Sequence, residues 1–181
     1  MSYDIHCEAC PYYHQKHLVG SAQSTNNLNP PVELEDNRSN ILLVFQAPGE
    51  EEWSVGKPIQ PTRKRGGTAG ARIQASWDRV QKSSGTNVNR YCFDIINSVQ
   101  CFPGKNDESR DFKPDEMAVR CCSKRLSEVL NLKQYAKVIA FGSFAFEVIS
   151  TLANSISPQP SIVNAPHPNG GVKNATLDAL W

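Results

Sequence analysis

The chain has 181 residues, 39% of them hydrophobic and 20% charged, and a net charge of +1. That length sets the expectation of a single domain over residues 1–181, and the composition excludes a disordered chain. The near-zero charge excludes a global pull on nucleic acid, so DNA contact would need local basic patches.

No apolar run approaches the ~18 residues of a membrane span. Residues 1–10 lack the basic region and apolar core of a signal peptide. A cytoplasmic monomer without a membrane partner is expected. In chain order, residues 1–20 hold a Cys7-x-x-Cys10 pair and a Tyr/His-rich stretch, and polar residues 21–40 read as a connecting loop. Ile41–Phe45 is a continuous apolar run, the pattern of a buried parallel strand. It ends in Gln46-Ala47-Pro48-Gly49, followed by Glu50, Glu51 and Glu52 and a turn at Gly56-Lys57-Pro58. Residues 46–68 read as one long loop, a length that often carries function.

Ala69–Gln81 reads as a helix capped by Thr68, with Ile73, Trp77 and Val80 on one face. Tyr91–Val99 is the second expected strand. Pro114-Asp115-Glu116 opens a helix, with proline and acids in the first turn. Lys137–Phe141 is the third strand, Ser143–Ala153 a helix, and Pro160–Asn164 a short fourth strand before Ala165-Pro166-His167-Pro168-Asn169. Strands alternating with helices predict a parallel sheet covered on both faces. In such sheets ligands bind outside the carboxyl ends of the strands. The amide, proline and glycine at residues 46–49 are therefore a site candidate.

Six cysteines without a secretory signal point to buried thiols or a metal site, not a disulfide framework. Cys7 and Cys10 precede every confident element, which argues against a thioredoxin-like pair. Cys101, just past the second strand, pairs with Cys121 or Cys122. Ala118, Cys122, Leu126 and Val129 share one helical stripe, and Cys121 is turned ~100° away. Cys122 is thus the expected fourth ligand beside Cys7, Cys10 and Cys101. Four thiolates suit zinc or a 4Fe–4S cluster equally on ligand type. Cys92 reads as core.

Taken in order, these motifs resemble the iron–sulfur branch (family four) of the uracil-DNA glycosylase superfamily. That branch has an N-terminal C-x-x-C, a strand ending in G-E-A/G-P-G with acids after it, and a G-R-P-F turn. Here stand Cys7-x-x-Cys10, Gln46-Ala47-Pro48-Gly49-Glu50-Glu51-Glu52 and Gly56-Lys57-Pro58-Ile59. Further on, Asn97-Ser98-Val99-Gln100-Cys101-Phe102-Pro103, Cys122, Gly142-Ser143-Phe144-Ala145 and His167-Pro168-Asn169 follow the family's order. The resemblance spans nearly the whole chain. It implies a three-layer α/β/α fold with a four-stranded parallel sheet, and an N-terminal segment tied in by a 4Fe–4S cluster on Cys7, Cys10, Cys101 and Cys122. It also favours that cluster over zinc. Departures are Phe45 for the motif's first glycine, Gln46 for its glutamate, and Ile59 for the phenylalanine expected to stack on a flipped base. The 60–68 loop and the spacer from Cys101 to Cys122 are also extended. These changes bear on substrate more than on fold.

The expected activity is a monofunctional DNA glycosylase that hydrolyses the glycosidic bond of a flipped base. The base would be uracil or a larger modified pyrimidine, such as a phage-type hypermodified base. Asn97 both donates and accepts, as a base edge requires. His167 would donate to the base carbonyl or to a phosphate. An amide has no useful proton affinity, so Gln46 would position water or base, with Glu50, Glu51 and Glu52 as substitute bases. Ala47, Pro48, Gly49 and Ile59 would line the base pocket. Arg63, Lys64 and Arg65, flanked by glycines, would contact DNA phosphates. Tyr12 and Tyr13 would pack around the cysteines. The competing expectation is a protein that binds lesions or modified DNA without cleaving.

Overall fold

The computed structural model describes residues 5–15, which include a one-turn helix, α1 (Ile5–Glu8), and residues 29–61, 68–108 and 110–181. Four strands form one parallel sheet: β1 (Ile41–Phe45), β2 (Asp94–Asn97), β3 (Lys137–Phe141) and β4 (Ser161–Ala165), in the order β2-β1-β3-β4. The chain therefore moves from β1 outward to β2, then crosses back to β3 and β4. Right-handed crossovers place the helices of the two directions on opposite faces. The face with α3 (Ala69–Ser84) and the C-terminal α6 (Asn174–Asp178) buries Leu43 and Phe45 with Ile73, Trp77 and Leu177. The face with α4 (Glu116–Lys133) and α5 (Ser143–Ala153) buries Leu42 and Val44 with Leu126, Leu130 and Ile149. Alternate β1 residues thus enter two different cores, which is why the run shows no polar alternation. The result is the expected three-layer α/β/α architecture with a four-stranded parallel sheet.

The first and third strands and the 143–153 helix have the expected bounds, and Thr68 caps α3 by accepting the Ala71 N–H at 3.1 Å. Several expectations are corrected. Residues 46–68 are not one loop: Glu50–Val55 form a short helix, α2, with Gly49 as N-cap and Gly56 as a left-handed C-cap (φ 67°). Acids in the first turn favour that helix by their interaction with its dipole, and a run of three glutamates reads as a solvated turn unless this is weighed. The second strand is shorter than Tyr91–Val99, because Arg90–Cys92 form a 3-10 turn capped by the Asn89 side chain. Cys92 consequently sits half-buried in that turn and not in a strand. The inward stripe of α4 ends on Leu130, with Val129 only partly covered. The helix α6 was not anticipated; its five residues are too few to show a period.

The amino end of β2 is locked by Asp94, which is fully buried. Its carboxylate accepts the Asn37 and Ser39 N–H groups at 2.8 and 3.0 Å, the Lys133 ammonium at 2.7 Å and the Tyr135 hydroxyl at 2.7 Å. A buried charge this fully paired is costly to break, because its partners are left desolvated. Asp94→Ala should destabilise the protein by about 3–5 kcal/mol. Denaturant titration checks this; a loss under about 1 kcal/mol would show that the partners find water or each other.

Candidate functional site

The chain reverses its direction across the sheet between β1 and β3, and the carboxyl ends of these strands form a crevice of the kind that holds ligands in open α/β sheets. Phe45 pairs in register with Asn97, and the knitting continues past both strands: Ser98 and Val99 donate to the carbonyls of Phe45 and Gln46 at 2.7 and 3.0 Å. Gly49 then turns the chain into α2. A side chain there would collide with Glu52, since a Cβ would lie 2.7 Å from Glu52 Oε2 and 3.7 Å from Asp111 Oδ2.

The segment Pro58–Gln60 crosses the crevice as a strap. Asn97 Nδ2 donates to the Pro58 carbonyl at 3.1 Å, and Arg90 to the Ile59 carbonyl at 3.0 Å. The Gln60 N–H donates to Glu52 Oε1 at 3.3 Å, and Thr68 Oγ1 to the Gln60 carbonyl at 3.2 Å. Gly70 touches the strap directly; a Cβ there would be 2.1 Å from the Gln60 oxygen. Arg90 is itself fixed by two 2.5 Å bonds to the Glu35 carboxylate.

Two contiguous cavities open here, of about 190 and 210 Å³. Ala47, Asp111 and His167 line both. Phe45, Gly49, Glu52 and Ile59 line the first, and Gln46, Pro48 and Pro103 the second. Neither lining contains a lysine or arginine among the described residues. The structure thus brings Gln46, Ala47, Pro48, Gly49, Ile59 and His167 to one place. Asn97 lies behind the wall, wholly buried between Phe45, its register partner, and Pro58, its bonded partner. Its Oδ1 has no hydrogen-bond partner among the described residues. Bonding to the Pro58 oxygen fixes the amide's orientation, since the flipped form would set two acceptors against each other. One N–H and Oδ1 remain as a donor–acceptor pair.

His167 follows β4 and packs against Gly142, which ends β3 with φ 88°; a Cβ on Gly142 would lie 3.3 Å from that of His167. His167 Nδ1 accepts the Asn169 N–H at 3.3 Å, so the neutral ring carries its proton on Nε2. Arg72 ties down the following loop by donating to the carbonyls of Pro168 and Val172, the latter at 2.6 Å. Burial lowers the His167 pKa. Burial raises that of Glu52, with Glu51 and Asp111 adding to the rise. Of the three glutamates, then, Glu52 is the one at the cavity. Asp111 was missed. It comes from the polar spacer, where only Gly104 and Asn106 hint at a turn.

Cys10, Cys101 and Cys122 pack with Tyr12, Val99 and Ala118. Cys122 is buried, as its phase requires. Burial pushes the Cys10 thiol up to about 11, with Cys121 and Cys7 adding, and Cys122 up to about 12, with Cys10 and Cys7 adding. Burial also raises Cys101, with Cys122, Cys10 and Cys7 contributing. The Cys7 sulfur accepts a 2.7 Å bond from Arg125. The N-terminal segment, the loop after β2 and α4 therefore bring their thiols into one neighbourhood. Among the described residues, no three ligating groups converge closely enough to hold a metal ion as they stand. The chemistry of this partly buried, all-sulfur donor set fits a thiophilic metal or cluster. Arg63, Lys64 and Arg65 lie outside the described residues.

No protein-family model matches the chain, and no curated protein is significantly similar to it. Among the described residues no helix is long and apolar enough to cross a membrane.

The His167 shift has a sign that can be tested. Its folded pKa lies below the unfolded value, so protons favour the unfolded chain. Wild type should lose stability relative to His167→Gln as pH falls through ~6.5. Parallel stability–pH curves for the two proteins would refute the buried neutral ring.

Proposed function

We propose that the chain is a monofunctional DNA glycosylase, acting as a cytoplasmic monomer on a flipped base that is uracil or a larger modified pyrimidine. The observation that carries this reading is the strand-end crevice. Gln46, Ala47, Pro48, Gly49, Ile59 and His167 meet there in front of a buried amide with a free donor–acceptor pair. The motif order described above supplies the rest.

A base inside the helical stack is inaccessible, so it must be extruded into a pocket. Asn97 then reads the base edge with Oδ1 and its remaining N–H. His167, neutral and protonated on Nε2, donates a hydrogen bond to the departing base. A positioned donor of this kind stabilises charge as it develops. Gln46 orients water in the second cavity. Ile59 and the strap form the wall opposite the sheet. Arg63, Lys64 and Arg65 would meet DNA phosphates, a contact that positions without reading sequence.

Cys7, Cys10, Cys101 and Cys122 would hold a 4Fe–4S cluster, or zinc as the alternative. Its part is to tie the N-terminal segment to the loop and helix behind the pocket. A brown protein with broad visible absorbance and iron on metal analysis is expected; zinc alone would overturn the cluster.

A second reading is favoured by Gln46 itself. An amide cannot take a proton from water, so the protein would bind altered DNA without cleaving it. One assay separates the two. Oligonucleotides carrying uracil, hypoxanthine or glucosylated hydroxymethylcytosine are incubated with the protein and treated with alkali. Strand breaks at one of these bases are expected; tight binding with intact strands would support the binder. Asn97→Ala should abolish excision while leaving metal content unchanged. Near-normal turnover in that variant would remove Asn97 from the active site.

A further inference from the structure

The lining of the two cavities poses a question that Gln46 leaves open: which group accepts a proton from the attacking water. Among the described residues, only Ala47, Asp111 and His167 line both cavities. Of these, Asp111 alone can act as an anionic base.

Asp111 is delivered by a tight hairpin that brings residues 104–106 against residues 110–112. Lys105 and Asp111 bridge antiparallel, and the Phe112 N–H donates to the Gly104 carbonyl at 2.9 Å. Asn106 closes the tip: its N–H donates to the Arg110 carbonyl at 2.9 Å, and its Oδ1 accepts the N–H groups of Glu108 and Arg110. Lys105 anchors the hairpin to α2 through a 2.9 Å ion pair with Glu50. The hairpin lies within the extended spacer between Cys101 and Cys122, so the segment that adds length also adds a carboxylate at the cavity mouth.

We propose that Asp111 is the general base of this site, a catalytic residue that fills the role Gln46 cannot; this rests on the glycosylase reading. Asp111 removes a proton from water held between it and the Gln46 amide in the second cavity. The water oxygen bonds to C1′ as the C1′–N bond breaks. The electron pair leaves on the base nitrogen, which receives a hydrogen bond from His167 Nε2–H and then a proton from solvent. Asp111 returns its own proton to solvent.

Glu52 is the rival carboxylate, and geometry separates the two. Glu52 lines only the first cavity, and its Oε1 is occupied by the Gln60 N–H. The Asp111 carboxylate accepts no hydrogen bond among the described residues, so its lone pairs are open to water. Among the described residues, the charged and titratable groups that face Asp111 include Lys105, Glu50, Glu52 and, across the cavity, His167. The residue is exposed as a whole, but desolvation of its carboxylate against the cavity and the Glu50 charge raise its pKa, and Lys105 opposes them.

The test uses the full-length protein, with its metal, on whichever base the product screen shows to be excised. Asp111→Asn should slow single-turnover excision by about 100-fold or more. DNA affinity should be unchanged, and the acid limb of the rate–pH profile lost. Asp111→Glu should recover part of the rate. A rate for Asp111→Asn within about threefold of wild type, or a retained acid limb, overturns the inference and leaves the glycosylase intact. Wild-type protein that excises no base in the screen overturns the glycosylase and this inference with it.

Discussion

The site depends on a strap of three residues having almost no freedom. Pro58, Ile59 and Gln60 carry four backbone hydrogen-bonding groups that are claimed by side chains from four places: Asn97 on β2, Arg90 in the 3-10 turn, Glu52 on α2 and Thr68 at the start of α3. Each such bond is worth on the order of 1 kcal/mol net. Their joint effect is geometric, since a segment held at every peptide cannot shift to suit one partner without losing another. Gly70 completes the arrangement by letting the first turn of α3 pack on the Gln60 carbonyl without a side chain between. The strap in turn sets where Ile59 stands opposite Phe45.

The crevice behind the strap is chemically one-sided. Its described walls hold two carboxyl groups, Glu52 and Asp111, and a neutral imidazole, and no cationic side chain. Phe45 stacks face to face on Phe141, with centroids 4.6 Å apart, so the apolar end of the crevice is continuous with the core that holds Trp181. The wall that meets a ligand thus inherits the rigidity of the sheet.

Much of this was legible in the chain. Ile41–Phe45 and Lys137–Phe141 are runs that only a sheet buried on both faces explains, and Gly142 and Gly49 mark where those strands must turn. Cys122 faces inward because Ala118 and Leu126 do. What could not be read was created by contacts between distant residues. Asp111 looks like one acid among several in a polar spacer until the Lys105 bridge turns it toward His167. Glu52 looks like its two neighbours until helix α2 gives the three residues different directions. Arg90 and Glu35 are 55 positions apart, and no local pattern announces that they meet. Asn97 was legible as a strand-end amide. Its fixed orientation was not, because that depends on Pro58.

The two ends of β2 show how the molecule divides stability from function. At the amino end the buried Asp94 has every lone pair answered, and nothing there awaits a partner. At the carboxyl end Asn97 Oδ1 and Ser98 Oγ are buried without one among the described residues. Leaving such atoms unpaired costs about 1–3 kcal/mol each, a sacrifice that folding alone would select against. Orphan status does not by itself mark a binding group, since Trp77 Nε1 is also unpaired in the midst of the core. Asn97 differs in its surroundings. It stands at the carboxyl end of β2, held in one orientation, with both neighbours in the wall of a cavity large enough for a ring. In the proposed reading a ligand's complementary edge would satisfy this group, and the strap that fixes its orientation would set which edge fits.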